Sequence, residues 1–270
     1  MKLSIIIVSW NVRELLIKCL NSIYHNNKTS DLEVFVVDND SQDDTAKLVA
    51  KQFPQVKLLA QKANLGFAKA NNLAIKSAQG DYILLLNPDT ETFPDTLAKS
   101  LDFMASHPDC GVLGCQMLYA DKKLQPSVRR FPKPWPTLLM LLKLPKIFPR
   151  LKSVDNYLAT DFDYAKEQTV DQVMGAFMLI PKKVIDKIGL LDENFFIWFE
   201  EVDFCRRVWS GGYKVYYSPA IKIIHHGGQS FSQQKTVTKQ RRFFKSAFIY
   251  FKKYGLFSSS SYVGKRANKN

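Results

Sequence analysis

No CxxC pair occurs in this chain, and its four cysteines, Cys19, Cys110, Cys115 and Cys205, lie far apart. That excludes the usual zinc ribbons, argues against a disulfide framework and fits a reducing compartment. No apolar run approaches the ~18 residues of a membrane span. The run at residues 1–8 is too short for a signal peptide and has no small-residue cleavage site after it, so a cytoplasmic location is expected. Two stretches lack acid altogether. Residues 122–152 carry nine Lys/Arg and residues 235–270 carry ten, with no Asp or Glu in either. The net charge of +13 is therefore localised, and basic blocks of this kind suit phosphate-rich partners.

What is present is an alternation. Leu3 to Ser9 reads as a buried strand, followed by a helix with Leu15, Leu16, Cys19, Leu20 and Ile23 on one face. A second strand, Val34 to Val37, ends in Asp38-Asn39-Asp40-Ser41, with Ser41 or Asp43 as candidate cap of the next helix. Val56 to Ala60 is a third strand; Asn64 to Ala68 is a turn before another helix. Ile83 to Leu86 is apolar on both faces, as in a central strand, and stops at Asn87-Pro88-Asp89, where Pro88 cannot continue a ladder. A helix at Leu97–Ser106 and a strand at Gly111–Met117 follow. Prolines punctuate residues 126–149, which read as a packed loop or a membrane-surface wedge. Further strands are expected within Gly175–Ile180, at Tyr213–Tyr217 and at Ala220–Ile224, with a helix starting near Trp198 and closing at Gly211-Gly212. Residues 237–254 read as an amphipathic basic helix, with Phe244, Ala247, Phe248 and Phe251 on one face. Strands alternating with helices imply a parallel α/β sheet with right-handed crossovers.

Polar clusters stand at the ends of these elements: Asp38-Asn39-Asp40, Asn87-Pro88-Asp89, Glu200-Glu201 and His225-His226. In open α/β sheets ligands bind at the carboxyl ends of strands. Acids and imidazole converging there suit a divalent cation and a diphosphate. The plainer alternatives are turns for the first two clusters and helix-start charge for the glutamates.

These residues resemble those of the family 2 inverting glycosyltransferases of the GT-A fold, in their rhamnosyltransferase-like branch of bacterial cell-surface polysaccharide synthesis. The matching segments are residues 6–11, 36–41, 64–68, 86–89, 175–177, 199–205 and 225–228, in the family's order. The resemblance implies a GT-A nucleotide-diphospho-sugar transferase fold, a mostly parallel sheet flanked by helices. It implies a catalytic domain at 1–232 and a basic amphipathic tail at 233–270. By the same resemblance Ser9, Asn11, Asp38, Asn39 and Asp40 hold the donor nucleoside. Asn64, Gly66, Phe67, Ala68 and Asn71 line the nucleotide pocket, with Asn87, Asp89 and Gly175 also on the donor. Asp89 matches the last acid of the metal motif, while Asn87 stands where the first acid is expected and weakens the charge there. His225 matches the late metal-ligand histidine, with His226 as fallback. Glu201 matches the catalytic base, with Glu200 and Asp203 as fallbacks.

The implied cofactor is a divalent cation, Mg²⁺ or Mn²⁺. The implied donor is dTDP-rhamnose or a UDP-hexose, and the acceptor a glycan or polyprenyl-diphosphate-linked sugar. Trp198 and Phe196 are either acceptor-site walls or core. The tail helix either docks on an anionic membrane, at its inner face, or packs on protein. Nucleic acid is not an expected partner: acids at the strand ends repel phosphate without a metal, and no recognition signature accompanies the basic blocks. A non-catalytic sugar-nucleotide binder is the remaining alternative, on account of Asn87.

Overall fold

The structure is a computed structural model that describes residues 2–26, 31–142, 144, 151–227 and 236–255. Its elements, in order, are β1 (Leu3–Ser9), α1 (Arg13–Asn26), β2 (Leu32–Asp38), α2 (Thr45–Gln52), β3 (Lys57–Ala60), α3 (Phe67–Ser77) and β4 (Tyr82–Leu86). Next come β5 (Thr90–Thr92), α4 (Thr96–Ser106), β6 (Cys110–Leu118), β7 (Leu124–Gln125), β8 (Val128–Arg129), α5 (Pro134–Leu141) and α6 (Lys152–Tyr157). The chain continues through β9 (Gln168–Thr169), β10 (Gln172–Val173), β11 (Phe177–Pro181), α7 (Lys182–Ile188), α8 (Glu200–Ser210), β12 (Lys214–His225) and α9 (Thr236–Tyr254).

One sheet runs in the order β3-β2-β1-β4-β11-β6-β12-β5, with β7 on β6 and β9 on β12; β8 and β10 form a separate pair. The first four strands are parallel. β11 is antiparallel to both neighbours, and β12 is parallel to β6 but antiparallel to β5. Alternation along β1 sends Ile5 and Ile7 to one face and Ile6 to the other. On the first face they meet Leu16, Leu20 and Ile23 of α1 and Leu97 and Leu101 of α4. On the second face the core takes Ala70 and Ala74 of α3, Val184 of α7, Phe204 and Val208 of α8, and Ala247 and Tyr250 of α9. Both faces are covered, which is why β1 and β4 read as unbroken apolar runs.

Several elements differ from the sequence reading. The two late strands are one, β12, whose register against β6 slips between Ser218 and Lys222, so Pro219 falls in an irregularity rather than between strands. Gly175 and Ala176 precede β11 instead of lying within it. The proline-rich segment contains α5, with Pro134 in the first turn, where a missing N–H costs nothing. Ser41 does not cap α2; its Oγ accepts the Asn11 N–H at 2.9 Å, while Asp43 Oδ1 accepts the Thr45 N–H at 3.2 Å. The helix read as starting near Trp198 starts at Glu200, because Trp198 and Phe199 have φ of 63° and 72°. The expected boundary at 232/233, Gly228 and residues 256–270 of the tail lie outside the described residues.

Candidate active site

The parallel strands bring their carboxyl ends to one edge of the sheet. Ser9, last in β1, pairs across to Asp38, last in β2. β11 runs the other way, so its beginning lies at the same edge, with Phe177 opposite Leu86. Asn87 then donates its backbone N–H to Ala176 O at 3.0 Å. β12 ends at His225 opposite Thr90, which puts the histidine beside the Asn87-Pro88-Asp89 turn. Sheet topology alone thus gathers Ser9, Asp38, Asp89, Gly175 and His225.

The polar atoms left over mark the centre. Among the described residues, the buried side-chain nitrogens and oxygens without a hydrogen-bond partner are Ser9 Oγ, Asp38 Oδ1, Glu200 Oε2, Glu201 Oε2 and His225 Nε2. A buried polar atom without a partner costs about 1–3 kcal/mol, so such atoms are seldom retained without use. All five belong to residues singled out from the sequence. Burial pushes the Asp38 carboxyl above its ordinary value, against the hydrogen bonds from Ser41. Burial raises Glu200 strongly, and the neighbouring Glu201 charge adds to it. Burial also raises Glu201, with the charge of Arg129 among the opposing influences.

Asp89 and His225 form a pair. His225 Nε2 lies 3.4 Å from Asp89 Oδ1. Its other nitrogen, Nδ1, is 2.8 Å from Gln125 Oε1, which can only accept, so in the neutral ring the proton sits on Nδ1 and the Nε2 lone pair faces Asp89. An imidazole oriented by an outer acceptor and left with a bare nitrogen is the usual arrangement of a metal ligand. No group of three or more His, Cys, Asp or Glu at ligand spacing occurs among the described residues. Two protein ligands still suit Mg²⁺ or Mn²⁺, which take their remaining oxygens from phosphate and water. His226 is engaged elsewhere: its Nε2 meets Glu91 Oε1 at 2.6 Å.

The turn at 64–66 is shaped from within. Asn39 Nδ2 donates to Asn64 Oδ1 at 3.1 Å and to Gly66 O at 3.2 Å, and Asn39 Oδ1 accepts the Leu65 N–H at 2.8 Å. Asn39 and Asn64 therefore hold the loop rather than present free amides. Gly66 has φ of +80°, and a Cβ there would lie 2.3 Å from Phe196 O, so no other residue fits. Asn71 Nδ2 is bonded to Phe67 O within α3. Asn11 takes φ of 52° and accepts the Gln42 N–H at 2.7 Å; Asp40, at φ 69°, accepts from the Gln42 side chain at 3.3 Å. Ala68 is buried in the core, and Asn87 is partly exposed. A Cβ on Gly175 would meet Phe67 and Glu201 at 3.7 and 3.8 Å, which places the glycine between the start of α3 and the candidate base.

Asp203 has a structural setting. It is fully buried, with Oδ2 bonded to Arg207 Nε at 2.8 Å and Oδ1 to Lys253 Nζ and Tyr254 OH at 2.7 Å. Glu201, by contrast, borders a cavity of about 250 Å³ lined also by Arg129, Tyr157, Trp198, Met140 and Phe243. Trp198 thus belongs to a cavity wall. Arg129, Tyr157 and Gln125 were not singled out in the sequence; they sit on or near two-residue strands and a short helix, where no periodicity marks them.

The sequence matches Glycosyl transferase family 2 over residues 4–187. It is 27% identical over 213 residues to N-acetylglucosaminyl-diphospho-decaprenol L-rhamnosyltransferase of Mycobacterium tuberculosis, covering 74% of this chain and 68% of that protein. It is 26% identical over 191 residues to rhamnosyltransferase WbbL of Escherichia coli, covering 68% and 66%. Among solved structures, the mannosyltransferase PcManGT from Pyrobaculum calidifontis in complex with GDP-Man and Mn²⁺ superposes with a TM-score of 0.61 at 18% identity, over 92% of this chain and 70% of that one. At that identity the likeness concerns the fold, which is that of the GT-A glycosyltransferases.

Proposed function

The chain belongs to Glycosyl transferase family 2 and is a glycosyltransferase, and from that premise we propose an inverting, cation-assisted transfer of L-rhamnose from dTDP-rhamnose to a hydroxyl of a glycan or lipid-linked acceptor in cell-surface polysaccharide synthesis. The observation that carries this reading is the set of five unpartnered buried atoms on Ser9, Asp38, Glu200, Glu201 and His225. They supply what a nucleoside, a metal–diphosphate and an acceptor hydroxyl need. The names of the rhamnosyltransferase relatives favour rhamnose. A UDP-hexose is the alternative donor.

Ser9 Oγ and Asp38 Oδ1 hold the nucleoside, with the clamped turn at Asn64–Gly66 as its wall. Asp89 and His225 would hold the divalent cation, His225 through the bare Nε2. When bound, the cation offsets the charge that develops on the departing diphosphate. Glu201 takes the proton from the acceptor hydroxyl as that oxygen bonds to the anomeric carbon, while the bond from that carbon to the diphosphate breaks. One base and one displacement from the opposite face give inversion. A raised carboxyl suits this task, because a base with a proton affinity near the working pH is the most effective.

The same reading places the protein on the inner face of the cell membrane. Trp135, Leu138 and Leu142 of and just after α5, and Phe244 and Phe248 of α9, are exposed apolar side chains set among lysine and arginine. Among the described residues no helix is long and apolar enough to cross a bilayer.

The test is a thermal-shift titration with dTDP, UDP and GDP, each with and without Mn²⁺, on the wild type and on Asp89→Ala. A ligand held by the folded state alone raises its melting temperature by mass action. Stabilisation by dTDP only with Mn²⁺, lost in Asp89→Ala, is the expected result. Stabilisation by UDP alone moves the donor to a UDP-hexose. No response to any nucleotide overturns the sugar-nucleotide reading.

A further inference from the structure

Residues 196–201 join the two halves of the candidate site. Phe196 O accepts the N–H of Phe67, the first residue of α3, at 2.8 Å. Gly66, the end of the 64–66 turn, packs directly on the Phe196 carbonyl and ring. Glu201 closes the same segment. A Cβ at Gly175 would touch both Phe67 and Glu201, so the two ends meet again across that glycine. The 64–66 turn and the candidate base therefore belong to one closed ring of contacts. A shift of residues 196–199 would move the base relative to the turn.

That segment does not hold its own shape. Trp198 and Phe199 lie in the left-handed region, at φ 63° and 72°, where bulky residues stay only if their surroundings impose it. Helix α9 supplies the surroundings. Ser246 is 2% exposed, and its Oγ donates to Ile197 O at 2.8 Å. A serine inside a helix ordinarily faces water or bonds the carbonyl four residues back; this one gives its proton to another element. The Arg242 guanidinium lies 4.1 Å from the centre of the Phe196 ring. The Phe243 ring faces Trp198 and Phe199, and Tyr250 meets Phe199 at 5.4 Å. One helix thus touches each residue from Phe196 to Phe199. It lies beyond residues 4–187, the stretch matched to the family.

We infer that α9 positions the candidate base and that Ser246 is its positioning residue. The Ser246 hydroxyl fixes the Ile197 carbonyl and, through the left-handed pair, sets Glu201 against the start of α3. The inference rests on Glu201 being the base, and it adds to the machinery an element outside the matched residues. Ser246 touches no substrate; it acts through Glu201. Its loss therefore lowers the rate of the chemical step and leaves donor affinity alone.

The experiment compares the full chain with Ser246→Ala and Tyr254→Phe. The second variant is the control. It also removes one hydrogen bond between α9 and α8, from the Tyr254 hydroxyl to Asp203 Oδ1, but none to residues 196–199. One reading is hydrogen–deuterium exchange of the amides of 198–202 without ligand. The other is nucleotide release from dTDP-rhamnose and from UDP-glucose with Mn²⁺, water serving as acceptor, well below each variant's melting temperature. Ser246→Ala is expected to speed exchange by about fivefold, the worth of one lost hydrogen bond. It should lower kcat by about 10- to 100-fold, as a slightly displaced base would, and leave the donor KM within about twofold. Tyr254→Phe should move neither reading by more than about twofold. Exchange or kcat unchanged in Ser246→Ala overturns the proposal. Equal losses in the two variants overturn it too, since they report stability rather than position. A raised donor KM at unchanged kcat reassigns Ser246 to the donor side. If the wild type turns over neither sugar nucleotide, the proposed donor chemistry fails. Exchange then decides the positioning by itself: acceleration confined to Ser246→Ala supports it, and its absence overturns it.

Discussion

Glu201 must be ionised to accept a proton, yet burial favours its protonated form, and the Arg129 charge offsets burial only in part. Activity should therefore appear as pH rises through a value above the ordinary carboxylate range. The acid limb of kcat/KM reads that value directly; a limb at an ordinary carboxylate value removes Glu201 from the role. Glu201→Gln should lower kcat by about 10²- to 10⁴-fold and leave nucleotide binding unchanged, since a general base contributes that much. At the proposed metal pair, Asp89 and His225, the bond from His225 Nδ1 to Gln125 Oε1 fixes the ring. Gln125→Leu should weaken Mn²⁺ binding by about 10- to 100-fold, measured by electron paramagnetic resonance titration in the presence of the nucleotide diphosphate. Asp89, Glu201 and His225 were legible because each follows or opens a regular element, where a polar residue stands out against an apolar pattern. Gln125 and Arg129 were not, because a two-residue strand has no period. Asp203 shows the opposite error of a chain reading: its place in the acidic cluster suggests a spare base, but Arg207, Lys253 and Tyr254 occupy both its oxygens.

The turn that feeds α8 holds two consecutive aromatic residues in the left-handed region, Trp198 at φ 63° and Phe199 at φ 72°. Each such residue costs about 1–3 kcal/mol and needs its surroundings to hold it. Helix α9 does so. Ser246 Oγ donates to Ile197 O at 2.8 Å, and the Phe243 ring lies 5.8 Å from Trp198 and 5.5 Å from Phe199. Further along, Asp203 ties α8 to Lys253 and Tyr254, and Arg206 donates to Tyr250 OH at 2.9 Å. Asp203→Asn leaves Arg207 without its charge partner and Lys253 with Asp192 alone. Thermal melting should show a loss of about 3 kcal/mol, or roughly 10 °C, as for a broken buried pair in a chain of this size. A change below about 1 kcal/mol would mean that the strut carries no load. The sequence marked a helix in the tail but not its buried face: Phe244 and Phe248, read on one apolar face with Ala247 and Phe251, are exposed, while Ser246 and Tyr250 are buried with Ala247. A stripe of aromatic residues looks the same whether it faces protein or lipid; α9 buries Ala247 and Tyr250 against the core and exposes Phe244 and Phe248. Replacing both exposed phenylalanines by Asp should weaken sedimentation with phosphatidylglycerol vesicles at least about tenfold, since each ring contributes about 1.5–3 kcal/mol when buried. Unchanged binding would assign those side chains to a protein partner.

Across the whole molecule the sheet's order decides what the site contains. The parallel strands were readable as apolar runs ending in polar clusters, and their common direction put Ser9, Asp38 and Asp89 at one edge. The reversal of β11 and the single long β12 were not readable, because strand direction depends on partners distant in the chain; yet that reversal delivers Gly175, and β12 delivers His225. The opposite end of the sheet carries a counterpart of opposite sign. Glu33 is buried, which works against its charge, but bonds from Lys57, Ser4 and the Gln79 N–H prevail and hold its carboxyl at about 2, below the ordinary 4.5. A lowered acid stabilises the fold above its unfolded value and loses that contribution as pH falls from about 4.5 to about 2. Glu200 is raised, so its contribution is present at low pH and is lost as pH rises through its folded value. Melting temperature should therefore climb out of acid through Glu33 and then decline as pH rises toward the raised value of Glu200. Glu33→Gln should flatten the first limb. Glu200→Gln should flatten the second and leave the variant more stable than the wild type once pH passes the raised value of Glu200, by about 2–4 °C for each kcal/mol of relieved charge burial. A Glu200→Gln curve that follows the wild type through alkaline pH would show that the conflict between holding the site together and ionising it does not lie at this residue.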